Sequence, residues 1–468
     1  MGNELWRKGA LELAGLIAEG EITSVEVVES LIDRIEAVNP HLNAIVRRLD
    51  EEAMAAAVNA DRQLAEGGPS GPLHGVPFTI KENIDVAGTP TTSSLPALAE
   101  AIASKDSPSV TRLKFGGAVP LGRTNLPDIG LRVATESSLH GITKNPWHPG
   151  LTAGGSSGGE ASAIASGMSP IGLGNDLGGS LRNPAHCCGI ASIKPSTGVV
   201  PAATVIPPED LALMFQLMAV EGVLARNVAD VRAGLLAIAG PDVRDPLSLP
   251  VHLVDRAEKR PLRVAVLADP PGGTTDPGIT DAIRRAGEAL AAQGCEVVEA
   301  CPPGYEQAIE LWSKALMEDV RAQMPLLDMV MGEGGKTFLH HAIAQYPPLD
   351  MASFLALFPQ RLHVEKQWHL FLHDHDVLLT PTWAHPAFPH GADIASIEGS
   401  MQTLDTMRPV LPANLLGLPA AIVPVGLADG MPVGAQLIAR RFGDLTALHA
   451  AELLERHYGT LTPIDPIR

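Results

Sequence analysis

The sequence predicts an α/β fold, a sheet covered by helices on both faces. Two observations predict it. Short apolar runs of strand length, at 76–80, 264–266 and 377–380 among others, are interleaved with longer stretches of helical periodicity along the whole chain. Unbroken apolar runs suit strands buried on both sides, and their alternation with helices is the α/β pattern. The second observation is bulk composition. The 468 residues are 45% apolar but only 4% aromatic, which is enough for a large, aliphatic core. No internal repeat or low-complexity linker divides the chain, so the expectation is one domain over 1–468. Its motif-bearing part is about 65–200, and 201–468 completes the sheet.

Taken in order, residues 9–38 read as helical, with Leu11, Leu13, Leu16 and Ile17 at mixed i, i+3, i+4 spacing. Thr23 followed three residues later by Glu26 is a capping-box start for a helix from Ser24 to Asn39-Pro40. Residues 50–65 form an alanine-rich helix that ends in Gly67-Gly68-Pro69. Residues 76–80 are a short buried strand closed by Lys81, and 108–122 suit a helix followed by a strand at 118–122. Residues 142–155 are proline-rich and read as irregular. Beyond Pro195 the expectations are a helix pair within 211–238, a strand near 264–266, a helix over 276–293 and a strand at 296–299. Helices dominate 305–375. A buried strand follows at 376–382, then strands near 421–423 and 434–438 and a last helix at 444–456.

One stretch organises the chemistry. Gly154-Gly155-Ser156-Ser157-Gly158-Gly159 leads through small residues to Asn175-Asp176-Leu177-Gly178-Gly179-Ser180-Leu181-Arg182-Asn183. Glycine pairs let backbone approach backbone or ligand without a Cβ in the way, and such turns can aim several N–H groups into one space. A serine at the edge of that space is placed to attack a carbonyl whose oxyanion the N–H groups hold. A Gly/Ser linker would be the bland reading. Ala161, Ala163, Ile164 and Ala165 at helical spacing, and the ending Ser180-Leu181-Arg182-Asn183-Pro184, argue against it.

Composition limits the partners. The formal charge of −19 repels nucleic acid and acidic membrane faces, and the densest basic pair, Arg47-Arg48, reads as a solvated helix end. No run approaches the roughly 18 apolar residues of a membrane span. The polar opening Met1-Gly2-Asn3-Glu4 lacks the apolar core of a signal peptide, and Trp6 stands where a myristoylation signal wants Ser or Thr. Cys187, Cys188, Cys295 and Cys301 form no CxxC. The expectation is a reduced, metal-free, cytoplasmic protein without a cofactor.

Three further motifs carry weaker signals. Gly154 to Gly158 matches the G-x-S-x-G elbow, but that motif follows a strand and 147–153 reads as loop. His373-Asp374-His375-Asp376 resembles a metal cluster without a third ligand group and reads as surface capping at a helix end. Gly332 to Thr337 hints at a P-loop, but Val330 occupies the first glycine position and no strand precedes it. Lys81 is different. Apolar Val76, Phe78 and Ile80 upstream predict burial, and a buried lysine must pair or lose its proton.

With these residues in place, the sequence resembles the amidase signature family. The matching pieces are Gly75-Val76-Pro77 with Lys81-Glu82-Asn83-Ile84-Asp85, Gly122-Arg123-Thr124-Asn125, Gly141 to Trp147, Gly154 to Gly159, Gly174 to Ala185 and Lys194-Pro195. Near the C-terminus, Asn414, Gly417-Leu418-Pro419-Ala420 and Pro432 to Gln436 also fit. The resemblance implies a central mixed, mostly parallel, twisted sheet and a Ser–Ser–Lys triad. In it Ser180 would be the acylating nucleophile, Ser156, after a cis peptide bond from Gly155, the bridge, and Lys81 the uncharged base. Backbone N–H groups of Leu177, Gly178, Gly179 and Ser180 would hold the oxyanion, while Ser157, Asp176 and Arg182 brace the loop. Leu177 replaces the Thr common in the family, where only the backbone is needed.

The expected reaction is hydrolysis of a small neutral carboxamide, hydrazide, carbamate or urea-like C–N bond by way of an acyl-enzyme. Its partners would be that substrate and water, with no nucleic acid or membrane, and a homodimer is the common state of similar proteins. A mainly apolar pocket is expected from Leu131, Val133, Trp383 and 405–412. The alternative is the glutaminase subunit of a tRNA-dependent amidotransferase. Such members carry an acidic residue shortly before Pro-Ala-Asn, and here Met407 to Leu411 precede Pro412 and the nearest acid is Asp405.

Overall fold

The computed structural model describes residues 4–254 and 260–467, so the expectation built on residues 1–3 lies outside it. Its strands are β1 Ile45–Arg48, β2 Pro77–Lys81, β3 Val119–Thr124, β4 Glu136–Ser137, β5 Gly141–Ile142, β6 Lys144–Asn145, β7 His148–Thr152, β8 Ile171–Asp176, β9 Ala191–Lys194, β10 Val220–Ala225, β11 Arg263–Val266, β12 Glu296–Glu299, β13 Val377–Pro381, β14 Ala420–Ala428 and β15 Met431–Ala439. Eleven form one sheet in the order β1-β3-β2-β8-β10-β9-β14-β15-β13-β11-β12. β4–β5 and β6–β7 are separate two-stranded ribbons.

The α/β class is borne out, with apolar layers on both faces of the sheet. Side chains of a strand alternate between faces. Val264 and Val266 of β11 therefore join one core with the helices Ser24–Leu42, Pro277–Ala292 and Asp444–Tyr458. Ala265 between them joins the other core, with the helices Tyr305–Val330 and Met351–Asp374. The balance of strand directions corrects the expectation of a mostly parallel sheet. β3–β2, β2–β8, β13–β11 and β11–β12 are parallel, but the other six pairings are antiparallel. β14 and β15 form a hairpin turning at Asp429 and Gly430, β10 inserts antiparallel between β8 and β9, and β9 pairs antiparallel with β14.

Most helices form as expected. Thr23 Oγ1 accepts the Glu26 N–H at 3.1 Å and Glu26 returns a bond to the Thr23 N–H, the reciprocal cap read in the sequence. Several elements differ. β8 stands where the sequence shows only a small-residue segment, because glycines have low strand propensity. Here Gly172 and Gly174 make room instead: a Cβ at Gly172 would lie inside the Glu160 carboxyl, and one at Gly174 would lie 2.8 Å from Ser157 Oγ. β10 occupies the middle of the expected helix pair, between the helices Leu213–Met218 and Val228–Ile238. Arg47 and Arg48 belong to edge strand β1 rather than to a helix end, and Arg48 pairs with Glu36 and Asp50. Residues 142–155, irregular by their sequence, contain β6 and β7.

All four cysteines are free. No helix among the described residues is long and apolar enough to cross a membrane. Nor do three or more His, Cys, Asp or Glu side chains gather there as a metal site. His373 and Asp374 end the helix Met351–Asp374, and Asp376 is taken by Arg260 and Arg263 at 2.7 and 3.2 Å. Glu333 opens a helix that follows another helix, so no strand leads into the would-be P-loop.

Candidate active site

Three strand ends and one loop build the site. Lys81 is the last residue of β2, every residue of which is buried, so its amine is delivered into the protein interior. Ser156 lies in the turn between β7 and the helix Gly158–Ala165. The Gly155–Ser156 peptide is cis. Gly155 must be glycine, since a Cβ there would lie 2.6 Å from the main chain of Val133. The preceding residues are thus strand and not loop, the opposite of the ground given above for setting the elbow motif aside. Yet β7 pairs with β6 in a side ribbon and bridges Pro389 through Leu151, outside the main sheet on which that motif depends.

Lys81 Nζ lies 2.7 Å from Ser156 Oγ and 2.5 Å from Asn175 Oδ1. Asn175 is held in turn by its Nδ2 donating to Asn83 Oδ1 at 3.0 Å. Burial pushes the Lys81 ammonium down from about 10.5 to about 7, against the opposing pull of Asp176 and Glu160. Desolvation disfavours the charged form, so near neutral pH the amine carries an available lone pair. An uncharged amine there donates to Asn175 and accepts from the Ser156 hydroxyl.

Ser180 sits on the loop between β8 and the helix Arg182–Cys188. It is half-buried, and its hydroxyl bonds to no group among the described residues. Its carbonyl accepts the Ser157 N–H at 3.1 Å, which joins the two serine segments. Ser157 Oγ also reaches the Asn175 carbonyl at 3.4 Å.

The loop is anchored by a buried ion pair. Arg182 Nη2 lies 2.8 Å from Asp176 Oδ1, with both side chains fully buried. Burial pushes the Asp176 carboxyl up, but the Arg182 charge and hydrogen bonds from Arg182 and Asn414 outweigh it and hold it below the usual carboxylate range. Arg182 also donates to the Val410 carbonyl and to Gln436 Oε1, both at 2.8 Å, and to Asn414 Oδ1. Asp176 accepts the N–H groups of Gly179 and Leu181 at 2.9 and 3.0 Å. Of the expected oxyanion donors, the Gly179 N–H is bonded to Asp176 Oδ1. Those of Leu177, Gly178 and Ser180 have no acceptor among the described residues.

Removing one partner of a buried ion pair leaves an uncompensated charge, which costs about 3–5 kcal/mol. Asp176→Asn is therefore expected to lower the unfolding free energy by that order in a denaturant titration. A loss under about 1 kcal/mol would show that Val410, Asn414 and Gln436 alone satisfy Arg182.

The expected pocket residues meet in one apolar cluster. Val133 and Trp383 are buried in it and Leu131 packs at its margin. Trp383 and Val410 wall Gly179, where φ is +100° and a Cβ would lie about 3 Å from both side chains. Trp312 and Met407 wall Gly178 in the same way, and the Trp312 indole N–H donates to the Leu177 carbonyl at 3.2 Å. Sequence reasoning missed Trp312, which lies inside a long helix with no motif around it. It also missed Asn175, Asn414 and Gln436 as individual ligands, although all three lie in quoted motifs.

The profile of the amidase family matches residues 26–448. The chain belongs to that family. It is an amidase, a hydrolase of C–N bonds, and relatives named as amide hydrolases match it over nearly its whole length. It is 40% identical to the indoleacetamide hydrolase of Bradyrhizobium diazoefficiens, over 98% of this chain and 88% of that one. It is 35% identical to an acylamidase of Rhodococcus erythropolis, over 98% and 97% of the two chains. Among solved structures, 6-aminohexanoate cyclic dimer hydrolase in complex with its substrate superposes with a TM-score of 0.83 at 28% identity, covering 98% of both chains. A bacterial aryl acylamidase superposes equally well at 28% identity, covering 98% of this chain and 96% of its own.

Proposed function

We propose that this amidase hydrolyses a small, neutral aryl-acyl amide by way of an acyl-enzyme on Ser180. The observation that carries the reading is the buried Lys81 amine 2.7 Å from Ser156 Oγ, with the half-buried Ser180 joined to that segment by its carbonyl accepting the Ser157 N–H. Lys81 takes a proton from Ser156 as Ser156 takes one from Ser180. A hydroxyl serves in the middle because it both accepts and donates. Ser180 Oγ attacks the amide carbon, and the N–H groups of Leu177, Gly178 and Ser180 receive the oxyanion, each such donor contributing roughly 10²–10³ in rate. The proton returns through Ser156 to the leaving nitrogen. Water then gives a proton through Ser156 to Lys81 and attacks the acyl carbon; the Ser180 Oγ–acyl bond breaks, the proton returns to Ser180 Oγ, and the acid leaves.

The acyl group is assigned from the walls of the site. Trp312, Trp383, Met407 and Val410 pack around the oxyanion loop and line it with apolar side chains. The relative named indoleacetamide hydrolase and the one named acylamidase point to the same class. Indole-3-acetamide is the first compound to assay, beside benzamide, an aliphatic amide, a hydrazide and L-glutamine. Release of indole-3-acetate with kcat/KM well above that for glutamine is the expected result. Preference for glutamine would overturn the reading. A relative from Salinispora tropica named for its part in glutamyl-tRNA(Gln) amidotransferase matches at 31% identity. Here, however, Asp405 is paired with Arg408 at 2.5 Å and is not free for a substrate ammonium. Incubation with EDTA is expected to leave turnover unchanged, and a loss restored by a divalent metal would contradict the reading.

A further inference from the structure

Glu160 is an acid where the surroundings have no evident use for one. It is fully buried in the first turn of the helix Gly158–Ala165. No ion pair engages it among the described residues. Its two oxygens accept from the hydroxyls of Thr79 and Thr124, the latter at 2.7 Å.

The placement of those threonines locates the carboxyl. Thr79 is two residues before Lys81 on β2, so the two side chains share a face of the sheet. Thr124 is the register partner of Lys81 on β3. Gly172, the partner of Thr79 on β8, has no side chain where the carboxyl lies, and a Cβ there would collide with it. Three adjacent strands thus form a niche for one carboxyl, on the same side of the sheet as the Lys81 amine.

We propose that Glu160 is a positioning residue that acts through Lys81, holding the amine as a stronger base than burial alone would leave it and setting the pH at which the enzyme becomes active. The inference depends on Lys81 being the base. Lys81 is the one charged group that acts on Glu160, while β3 and β8 present Thr124 and Gly172 to it. Arg123, beside Thr124, turns to Thr89, Pro90 and Ile84 instead. Lys81 in turn feels two carboxyls, Asp176 and Glu160. Asp176 is neutralised by Arg182, so Glu160 is the carboxyl near Lys81 with no cation of its own.

Burial pushes the Glu160 carboxyl up to about 7, against its hydrogen bonds from Thr79 and Thr124 and the pull of Lys81. The two groups therefore titrate in the same range and as a pair. An ionised Glu160 favours the ammonium form of Lys81. It raises the pH needed to free the lone pair and, by the Brønsted relation, makes that lone pair a better proton acceptor.

The test is the pH profile of kcat/KM on the best substrate of the panel, for the wild type, Glu160→Gln, Glu160→Asp and Lys81→Ala. Glu160→Gln keeps the shape and removes the charge. Its acid limb is expected to move to lower pH by about half a unit to one unit, about 3- to 10-fold in activity on the acid side. Its plateau is expected to fall a few-fold. Glu160→Asp, which keeps the charge, is expected to hold the limb near the wild-type position. A Glu160→Gln limb that stays put, with activity falling only as folded protein falls in a thermal melt, would overturn the proposal and leave Glu160 a structural residue. If Glu160→Gln does not fold, an acid limb of Glu160→Asp displaced to lower pH by as much as the expected shift would overturn it. A Lys81→Ala enzyme with near-normal turnover would instead overturn the base assignment, which separates the two failures.

Discussion

Replacing Ser180 with alanine is expected to bring turnover below about a thousandth of the wild-type rate while the unfolding midpoint stays unchanged. The hydroxyl has no hydrogen-bond partner among the described residues, so its removal breaks no structural contact. A half-buried position also leaves no sealed cavity. Only the covalent step is lost. Residues that act as a unit in acyl transfer leave a small residual rate from oxyanion binding and positioning alone. Steady-state kinetics beside a denaturant titration separates the cases. Activity above a thousandth in a fully folded variant would mean that another group attacks. Mass spectrometry of a slow ester substrate gives an independent check: an acyl adduct on the peptide that contains Ser180 in the wild type, and none in the variant.

The second large effect is at Lys81. Because burial lowers its pKa to about 7, the wild-type kcat/KM is expected to rise with pH through that region and then level off. Below the limb the ammonium has no lone pair to accept the Ser156 proton; above it the amine is free. Lys81→Ala is expected to reduce kcat/KM by at least roughly 10²–10⁴-fold, the range of a general base. Part of the rate should return at high pH, as hydroxide takes over the base role. Lys81→Met keeps more of the volume and guards against a collapsed niche. If both variants fold and neither loses more than a few-fold, the proton path does not pass through position 81.

What was legible in the sequence follows from how local each signal is. The Thr23–Glu26 cap, the helix ends and the apolar runs around Lys81 and Val377 depend on near neighbours, and they came through. The proposed triad came from the family resemblance; the residues alone showed glycines and serines clustered around two of its members and an apolar run into Lys81, which is buried. β8 and β10 were not legible. The first is rich in glycine because Glu160, Ser157 and Leu181 fill the space that side chains would take, so its sequence lacks the usual strand composition. The second is buried on both sides between β8 and β9, and its apolar run is too short to be told from helix. The direction of the strands was out of reach for a similar reason. It depends on which distant segments pair, and nothing near β9 or β14 encodes the other. Trp312 could be found only once the long helix was seen to lie over Gly178.

The Arg182 anchor has a consequence for how the enzyme comes into being. Lys81, Ser156 and Ser180 of the proposed proton route all precede Asn414 and Gln436, whose side chains hold Arg182 and Asp176. The proposed nucleophile is therefore translated well before the side chains that brace its loop. A chain cut short of Asn414 and Gln436 is expected to carry Ser180 on an unbraced loop and to turn over amides poorly, which an assay of the truncated protein would check.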